Sequence, residues 1–592
     1  MPEFNQSPKN SFIGDEFSQY NLSVIFNEVT SSVIGNLSVN YYNNDPVNFT
    51  RIPFHLFLSG MLYDSRIGEI NILSVTNLDK PKTPLIFVVD ETNQLLWIHL
   101  DTILEPHERT FFEIEFTSII PDGGLDRANS HGSDGSSSRI YKFTSFYPMP
   151  CVYDDFDGWN LDPYLDSGDP FYYDMAYYNL AIEAPTEMII AATGELVNLT
   201  NKESTFIHQF NPGYPVREVT FSASRYFQIQ TVLVNNVSIS TYYLLQSNVL
   251  WENFALEYAE NAFKLFNDTF GSYPYSTLNI VEEYAYYYGM EYPLQVYISE
   301  LIDNEWLLEK TIVHEVAHQW WYNLVGFDQV DWGFLDEGLT VWSTDYYGRI
   351  NYHNWNYFHY TRNYDNVRTN PTPSKINQST YQIIANNLDF VFISYYKTPL
   401  IFEKISRTIR LGNFTLGLKN FYEQNQFGIA LLSDLQYALE DSINQSLDWV
   451  FFPWFDNYYL PKYDVTTIHF NDTTNSLHVL IEDENEQLNL YPYAQELQVV
   501  VYNVNEEIIY SRYIWINGTT TLNLPMTEIP FKLRLLYGPD VIVQLSSATT
   551  TYLEIPVENN LVAIPGYKFN FMILIIFLSL TYLIFRHKSR IN

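Results

Sequence analysis

The chain contains a single cysteine, Cys151, among its 592 residues. One thiol excludes intramolecular disulfides and any metal site built from several thiolates. It does not exclude an extracellular location, because large domains fold without disulfides. Basic residues are the second scarcity: Lys and Arg number 31 against 69 Asp and Glu, for a net charge of −38. No basic stripe is available to grip a phosphate backbone, so nucleic-acid binding is set aside. Such a surface repels anionic membranes and attracts cationic peptides. There is no internal repeat, and the opening "MPEFNQSPKNSFIGDEF" has neither the basic start nor the apolar core of an export signal. What is plentiful is apolar and aromatic side chains, at 46% and 17%. That is the composition of a folded protein, and a chain this long divides its core among several domains.

Alternating runs such as "NLSVIFNEV", "EINILSV", "LLWIHL", "FFEIEF" and "STFIHQF", separated by Gly, Pro, Asn and Asp turns, mark residues 1–245 as an N-terminal β domain. A Gly/Ser/Asp-rich stretch from Asp122 to Arg139 reads as a long loop. The spacing turns helical in "NVLWENFALEYAENAFKLFNDTFG", which stops at Gly271, and helices are expected to dominate residues 246–461. Alternation returns in "DVTTIHFN", "LHVLIED" and "ELQVVVYNV", so residues 462–545 form a small β domain, followed by a polar linker over 546–568. "FNFMILIIFLSLTYLIF", Phe569–Phe585, is almost wholly apolar and is followed at once by the basic tail 586–592. Seventeen helical residues span roughly 25 Å, enough for a thin bilayer core, and this segment is read as a single transmembrane helix. The positive-inside rule puts Arg586–Arg590 in the cytoplasm and the large domains outside. About a dozen Asn-X-Ser/Thr sequons lean the same way. With no export signal visible at the start given, either the true start lies upstream, or export uses another route, or the segment is a tail anchor with its domains on the cytosolic face. The expectation is a single-pass membrane protein with extracytoplasmic domains, the tail anchor being the alternative.

"TIVHEVAHQWWYNL", Thr311 to Leu324, carries two histidines four apart. On a helix, positions i and i+4 share a face, about 5–6 Å apart, so His314 and His318 can reach one ion. Zinc suits two imidazoles with a position left open for water, and Glu315, one step round the helix, can act as general base toward that water. Glu337 in "FLDEGLTVW" follows His318 with eighteen residues between them, after a turn through "GFDQVDWG". Two antiparallel helices joined there would aim His314, His318 and Glu337 at one zinc ion.

That spacing resembles the M1 family of zinc aminopeptidases, within the gluzincins. "YGMEYP", Tyr288 to Pro293, is similar to the family's Gly-x-Met-Glu-Asn motif, "SYYKTPLIFEKI" to its Tyr-x-Lys-Gly stretch, and "FYPMPCVYDD" to its Phe-Pro-Cys signature. The resemblance runs from about residue 15 to 545. It implies a multidomain α+β protein: an N-terminal β-sandwich or saddle, a thermolysin-like, mainly helical catalytic domain and a small C-terminal β-sandwich. It implies that Glu291 binds the free α-amino group of a peptide, that backbone around Gly289 and Met290 lies along the substrate, and that Tyr395 stabilises the oxyanion together with zinc. Tyr396 stands beside Tyr395 as the alternative donor. Peptides with a free N-terminus are the implied substrates.

The departures are specific. The motif's Asn is Tyr292 here, and the Gly of Tyr-x-Lys-Gly is Thr398. Many relatives have a Gln or Glu about ten residues before the Phe-Pro-Cys signature as a second anchor for the amine; "DGSSSRIYKFTSFYP" offers none. No counterpart to the helical C-terminal domain of larger relatives is expected in the stretch after residue 545, which would leave the site more open to long peptides. Two other readings follow: an endopeptidase or other gluzincin hydrolase, and a catalytically silent scaffold. The oligomeric state and the preferred first residue are left open by the sequence.

Overall fold

The structure, a computed structural model, describes residues 16–536 apart from 64–65, 80–81, 93, 124–126, 133–138, 166, 246–248, 354–366 and 368–371, and then residues 552–554. The expected membrane segment Phe569–Phe585, its basic tail and most of the linker before it lie outside the described residues. Among the described residues, no helix is long and apolar enough to cross a membrane.

Four of the alternating runs near the N-terminus become strands of an eight-stranded sheet, while "LLWIHL" lies in the strand Leu95–Leu104 of a separate four-stranded sheet. Ser18–Asn27 pairs antiparallel with Ser32–Tyr42 and parallel with Ala176–Pro185, while Arg109–Ile119 continues the sheet beyond Ser32–Tyr42. Period-two alternation buries Tyr20, Leu22, Val24 and Phe26 from one strand and Phe112, Ile114 and Phe116 from another. Two short two-stranded sheets and two four-stranded sheets accompany the eight-stranded one in this β-rich region. One of the four-stranded sheets uses Asn129–Gly132, so the stretch expected as a loop contains a strand.

A five-stranded sheet follows, in the order Phe227–Val234, Val237–Leu244, Thr277–Glu283, Gln295–Ser299, Gly289–Met290. The expected division at residue 245 therefore falls inside a sheet: Val237–Leu244 pairs in parallel with Thr277–Glu283. The central strands escape the sequence pattern because Gln295–Ser299 is buried at every position and so has no alternation to read. Gly289–Met290 is an antiparallel edge strand.

Helix α1, Leu256–Phe270, ends where Gly271 turns to φ +139°. Helix α2 is Glu305–Ala317 and helix α3 is Gln329–Tyr352. Contacts divide the chain into two compact units; the first runs to Leu460 and includes Asn485–Tyr493. The second, Pro461–Glu484 with the strands from Ala494 onward, contains a three-stranded and a four-stranded antiparallel sheet. Its last strand, Tyr552–Glu554, pairs with Lys532–Leu536 at a position expected to be linker.

Two adjacent buried ionisable side chains tie the β-rich region to the α2–α3 connection. The Arg217 guanidinium donates to the carbonyls of Tyr322, Asn323, Tyr173 and Gly428 at 2.6, 3.0, 2.7 and 2.6 Å. Its neighbour Glu218 accepts from the Tyr322 hydroxyl at 2.6 Å, while its other oxygen has no partner. Burial is the chief cause that raises the Glu218 pKa to about 8, from an ordinary 4.5. Between those values the folded protein holds a proton that the unfolded chain has released, so stability contributed at this position falls as pH rises through that window. Glu218→Gln keeps an acceptor for Tyr322 and removes the titration. Its thermal midpoint should exceed that of the parent by about 3 °C in mildly alkaline buffer, with the gain shrinking toward acid pH. Calorimetry of both proteins across that range checks this; a gain independent of pH would remove ionisation from the explanation.

Candidate active site

Helix α2 starts where the Asn304 side chain accepts the Leu307 amide, satisfying one of the free N–H groups of the first turn. It carries His314 in its last turn and His318 at its C-cap, where φ and ψ (−61°, −15°) are still helical. The i, i+4 relation thus survives to the helix end. Helix α3 is capped by Asp328, whose carboxylate accepts the amides of Val330 and Asp331. "GFDQVDWG" is therefore not the joining turn that the spacing suggests: Gln329 already begins α3, and Trp332 (φ −132°, ψ 37°) kinks it. The kinked, buried helix carries Asp336 and Glu337.

His314, His318 and Glu337 converge, with one donor atom from each lying within 4.8 Å of the others. Glu337 Oε2 stands 3.2 Å from His314 Nε2 and 3.6 Å from His318 Nε2, and the two Nε2 atoms are 3.3 Å apart. His318 Nδ1 faces the Trp321 carbonyl at 2.9 Å and the Thr340 hydroxyl at 3.1 Å. An N–H at Nδ1 leaves a bare lone pair at Nε2. Glu337 Oε2 is buried without a hydrogen-bond donor. Three acceptors aimed at one another call for a cation, and two imidazoles with one carboxylate are a donor set suited to zinc with a fourth position open.

The surrounding charge makes the same demand. Burial alone would raise Glu337, but the His314 and His318 imidazoles beside it outweigh burial and hold it far below the usual carboxylate range. Burial would lower His318, yet the charges of Glu291 and Glu337 push it well above the ordinary value. Glu315 and Asp336 are driven upward, first by burial and then by neighbouring carboxylates.

Glu291, Glu315 and His318 form a second convergent set, again within 4.8 Å. Glu315 Oε2 is buried and without a partner. Its carboxylate lies against the edge strand, and a Cβ at Gly289 would stand 2.3 Å from Glu315 Oε1, so the strand can approach this closely only as glycine. Met290 is buried beside it. Glu291 Oε1 accepts from Gln329 Nε2 at 3.0 Å, and the same amide donates to Asp336 at 2.6 Å. Burial, followed by the charge of Asp169, raises the Glu291 pKa to about 7.

Tyr395 lies in a π-helical turn, Phe392–Lys397, that leads into the helix Thr398–Ile409. Its hydroxyl donates to Glu337 Oε1, and its ring stacks on His314 at 6.0 Å. The helix can come this near because residue 338 has no side chain; a Cβ there would meet Thr398 Cγ2 at 2.3 Å. Tyr396 lines the cavity without a hydrogen bond to the convergent ligands. His314, Glu315, His318, Glu337, Glu291 and Tyr395 face one cavity of about 560 Å³. Sequence reasoning brought together His314, Glu315, His318, Glu337, Glu291, Gly289, Met290 and Tyr395. It missed Gln329, Thr340, Arg127 and Asp169, of which only Thr340, three residues after Glu337, lies inside a recognised motif.

Residues 254–454 match the model of the Peptidase family M1 domain. The chain is 25% identical to the alanine/arginine aminopeptidase of Saccharomyces cerevisiae over 480 residues, 76% of this chain and 52% of that protein. It thus spans about half the length of that relative. Its fold is similar to a crystal structure of Legionella pneumophila aminopeptidase A in complex with aspartic acid, at TM-score 0.67 and 15% identity, covering 90% of this chain and 60% of that one. It is also similar to a crystal structure of a mutant M1 zinc metallopeptidase from Deinococcus radiodurans, at TM-score 0.58 and 14% identity, covering 76% of this chain and 95% of that one.

The ligand geometry yields a test independent of catalysis. Protein loaded with zinc should hold one ion per chain. Thr340→Val, which removes a contact of His318 Nδ1, should weaken zinc by about tenfold, and Glu337→Gln by considerably more. Competition against a chromophoric chelator measures both. Unchanged affinity in Glu337→Gln would remove that carboxylate from the ligand set.

Proposed function

We propose that this protein, whose residues 254–454 match the Peptidase family M1 domain, is a zinc-dependent aminopeptidase that removes the N-terminal residue from peptides. The observation that carries the reading is the proximity of two buried carboxylates, Glu315 and Glu291, to His318 of the ligand triad. One carboxylate serves the chemistry and the other measures the substrate's end.

His314, His318 and Glu337 would hold a zinc ion, which when bound would polarise the scissile carbonyl and acidify water. Glu315, with its unpartnered buried oxygen, takes the proton of the attacking water and passes it to the leaving amine. Burial favours this proton uptake, since a desolvated carboxylate is a stronger base. The Tyr395 hydroxyl turns from Glu337 toward the developing oxyanion and donates to it, remaining protonated because its pKa is far above neutrality. Glu291 pairs with the α-ammonium and so sets the cut one residue from the end. The substrate backbone extends the sheet along Gly289–Met290, as peptides do at exposed strand edges.

A matched pair of peptides, free and acetylated at the N-terminus, tests the assignment. Only the free peptide should be cut, and Glu315→Gln should lower kcat by at least about 10³-fold while zinc stays bound. Cleavage of both peptides at similar rates would replace this reading with an endopeptidase. Cleavage of neither by the zinc-loaded parent, over a panel of first residues, would favour a silent scaffold.

A further inference from the structure

The sequence offers no second amine anchor ahead of its Phe-Pro-Cys-like signature, but the fold brings a different carboxylate to the cavity. Asp169 lies after that signature, in the stretch leading to the strand Ala176–Pro185. It lines the same cavity as Glu291 and keeps 12% side-chain exposure there. Asp169 Oδ1 is held by Arg127 Nη2 at 2.8 Å, and that nitrogen also donates to the Gly168 carbonyl at 2.9 Å. Arg127 Nη1 meets the sulfur of Met290, the residue before Glu291. The guanidinium is packed near the rings of Phe171 and Tyr287, 5.1 and 5.7 Å from their centroids. Arg127 is thus a fixture that joins Asp169 to the edge strand carrying Glu291.

We propose that Asp169, held in place by Arg127, is the second carboxylate of the substrate-amine pocket. An ammonium has three N–H donors and no acceptor, and on leaving water it needs more than one acceptor. Glu291 alone falls short, since one of its oxygens is already engaged by Gln329. Arg127 engages Oδ1 of Asp169, and among the described residues no hydrogen bond occupies its second oxygen. With both carboxylates ionised, Glu291, Asp169 and Arg127 carry one net negative charge, matched to one ammonium. After burial, no charge affects Glu291 more than that of Asp169. A monocation between the two would relieve that repulsion.

This inference rests on the aminopeptidase reading, and its test keeps the two apart. Three alanine-led peptides, with a free amine, an isosteric hydroxyl in place of the amine, or an acetyl cap, are compared on the zinc-loaded parent, Asp169→Asn and Asp169→Glu. A lysine-led free peptide is the fourth substrate, and zinc content and thermal midpoint report on the fold. Asp169→Asn should raise KM for the free amine by about tenfold or more, with kcat within about threefold. The hydroxyl peptide should be unaffected, so that discrimination between amine and hydroxyl collapses; Asp169→Glu should restore part of it. An equal loss on amine and hydroxyl peptides would make Asp169 merely structural and overturn the proposal. A loss confined to the lysine-led peptide would overturn it in favour of side-chain recognition. A parent enzyme that does not prefer the free amine would overturn the aminopeptidase reading itself, before any variant is compared.

Discussion

A concentration of buried negative charge is the constraint on which this architecture turns. Glu291, Glu315, Asp336 and Glu337 are all buried, and Asp169 lines the same cavity as three of them. Carboxylates taken from water at such density are costly unless cations or donors meet them. The protein supplies Arg127, the bridging amide of Gln329 and the hydroxyl of Tyr395. That leaves Glu337 Oε2 and Glu315 Oε2 without partners. A divalent cation and a cationic substrate end are the natural complements of what remains. On this view the α2–α3 packing, the Asp328 cap and the kink at Trp332 serve one purpose. They hold like charges in fixed positions where repulsion would otherwise scatter them.

Rigidity comes from the elements that carry the groups. The two histidines and Glu315 belong to α2 and its C-cap, Glu337 to α3, and Glu291 directly follows an edge strand. Two absent side chains set the spacings: Gly289 lets the strand meet Glu315, and Gly338 lets the Tyr395 helix meet α3. Sites built on helices and strands keep their geometry better than sites on free loops. Asp169 is the exception, lying in a connection, and it is correspondingly braced by a buried arginine.

Much of this was legible in the sequence, and what was not has physical causes. The outer strands alternate and were readable; Gln295–Ser299 is buried throughout and was not. The His-Glu-x-x-His pair was readable because helical periodicity puts positions i and i+4 on one face, whereas Glu337, on a different helix, was readable through its spacing and the family pattern it resembles. Tyr395 could not be told from Tyr396 by motif alone in a chain with 49 tyrosines, and only the hydroxyl's contact with Glu337 separates them. Gln329, Arg127 and Asp169 were invisible for a simpler reason. Their partners stand 38, 163 and 42 positions away, and no local pattern encodes a meeting at that range. The turn expected through "GFDQVDWG" failed because a capping aspartate started the helix early.

Asn485–Tyr493 belongs to the first compact unit although the chain has already entered the second at Pro461. Within that first unit Tyr493 packs on Trp454, and Asn457 is bonded to Tyr491. During synthesis, at about 5–20 residues per second, the metal-bearing unit must therefore wait for a returning segment made after part of its successor. Until Tyr493 emerges from the ribosome, Trp454 lacks its aromatic cover. The two units are thus interlocked in time, and neither can be finished in simple succession.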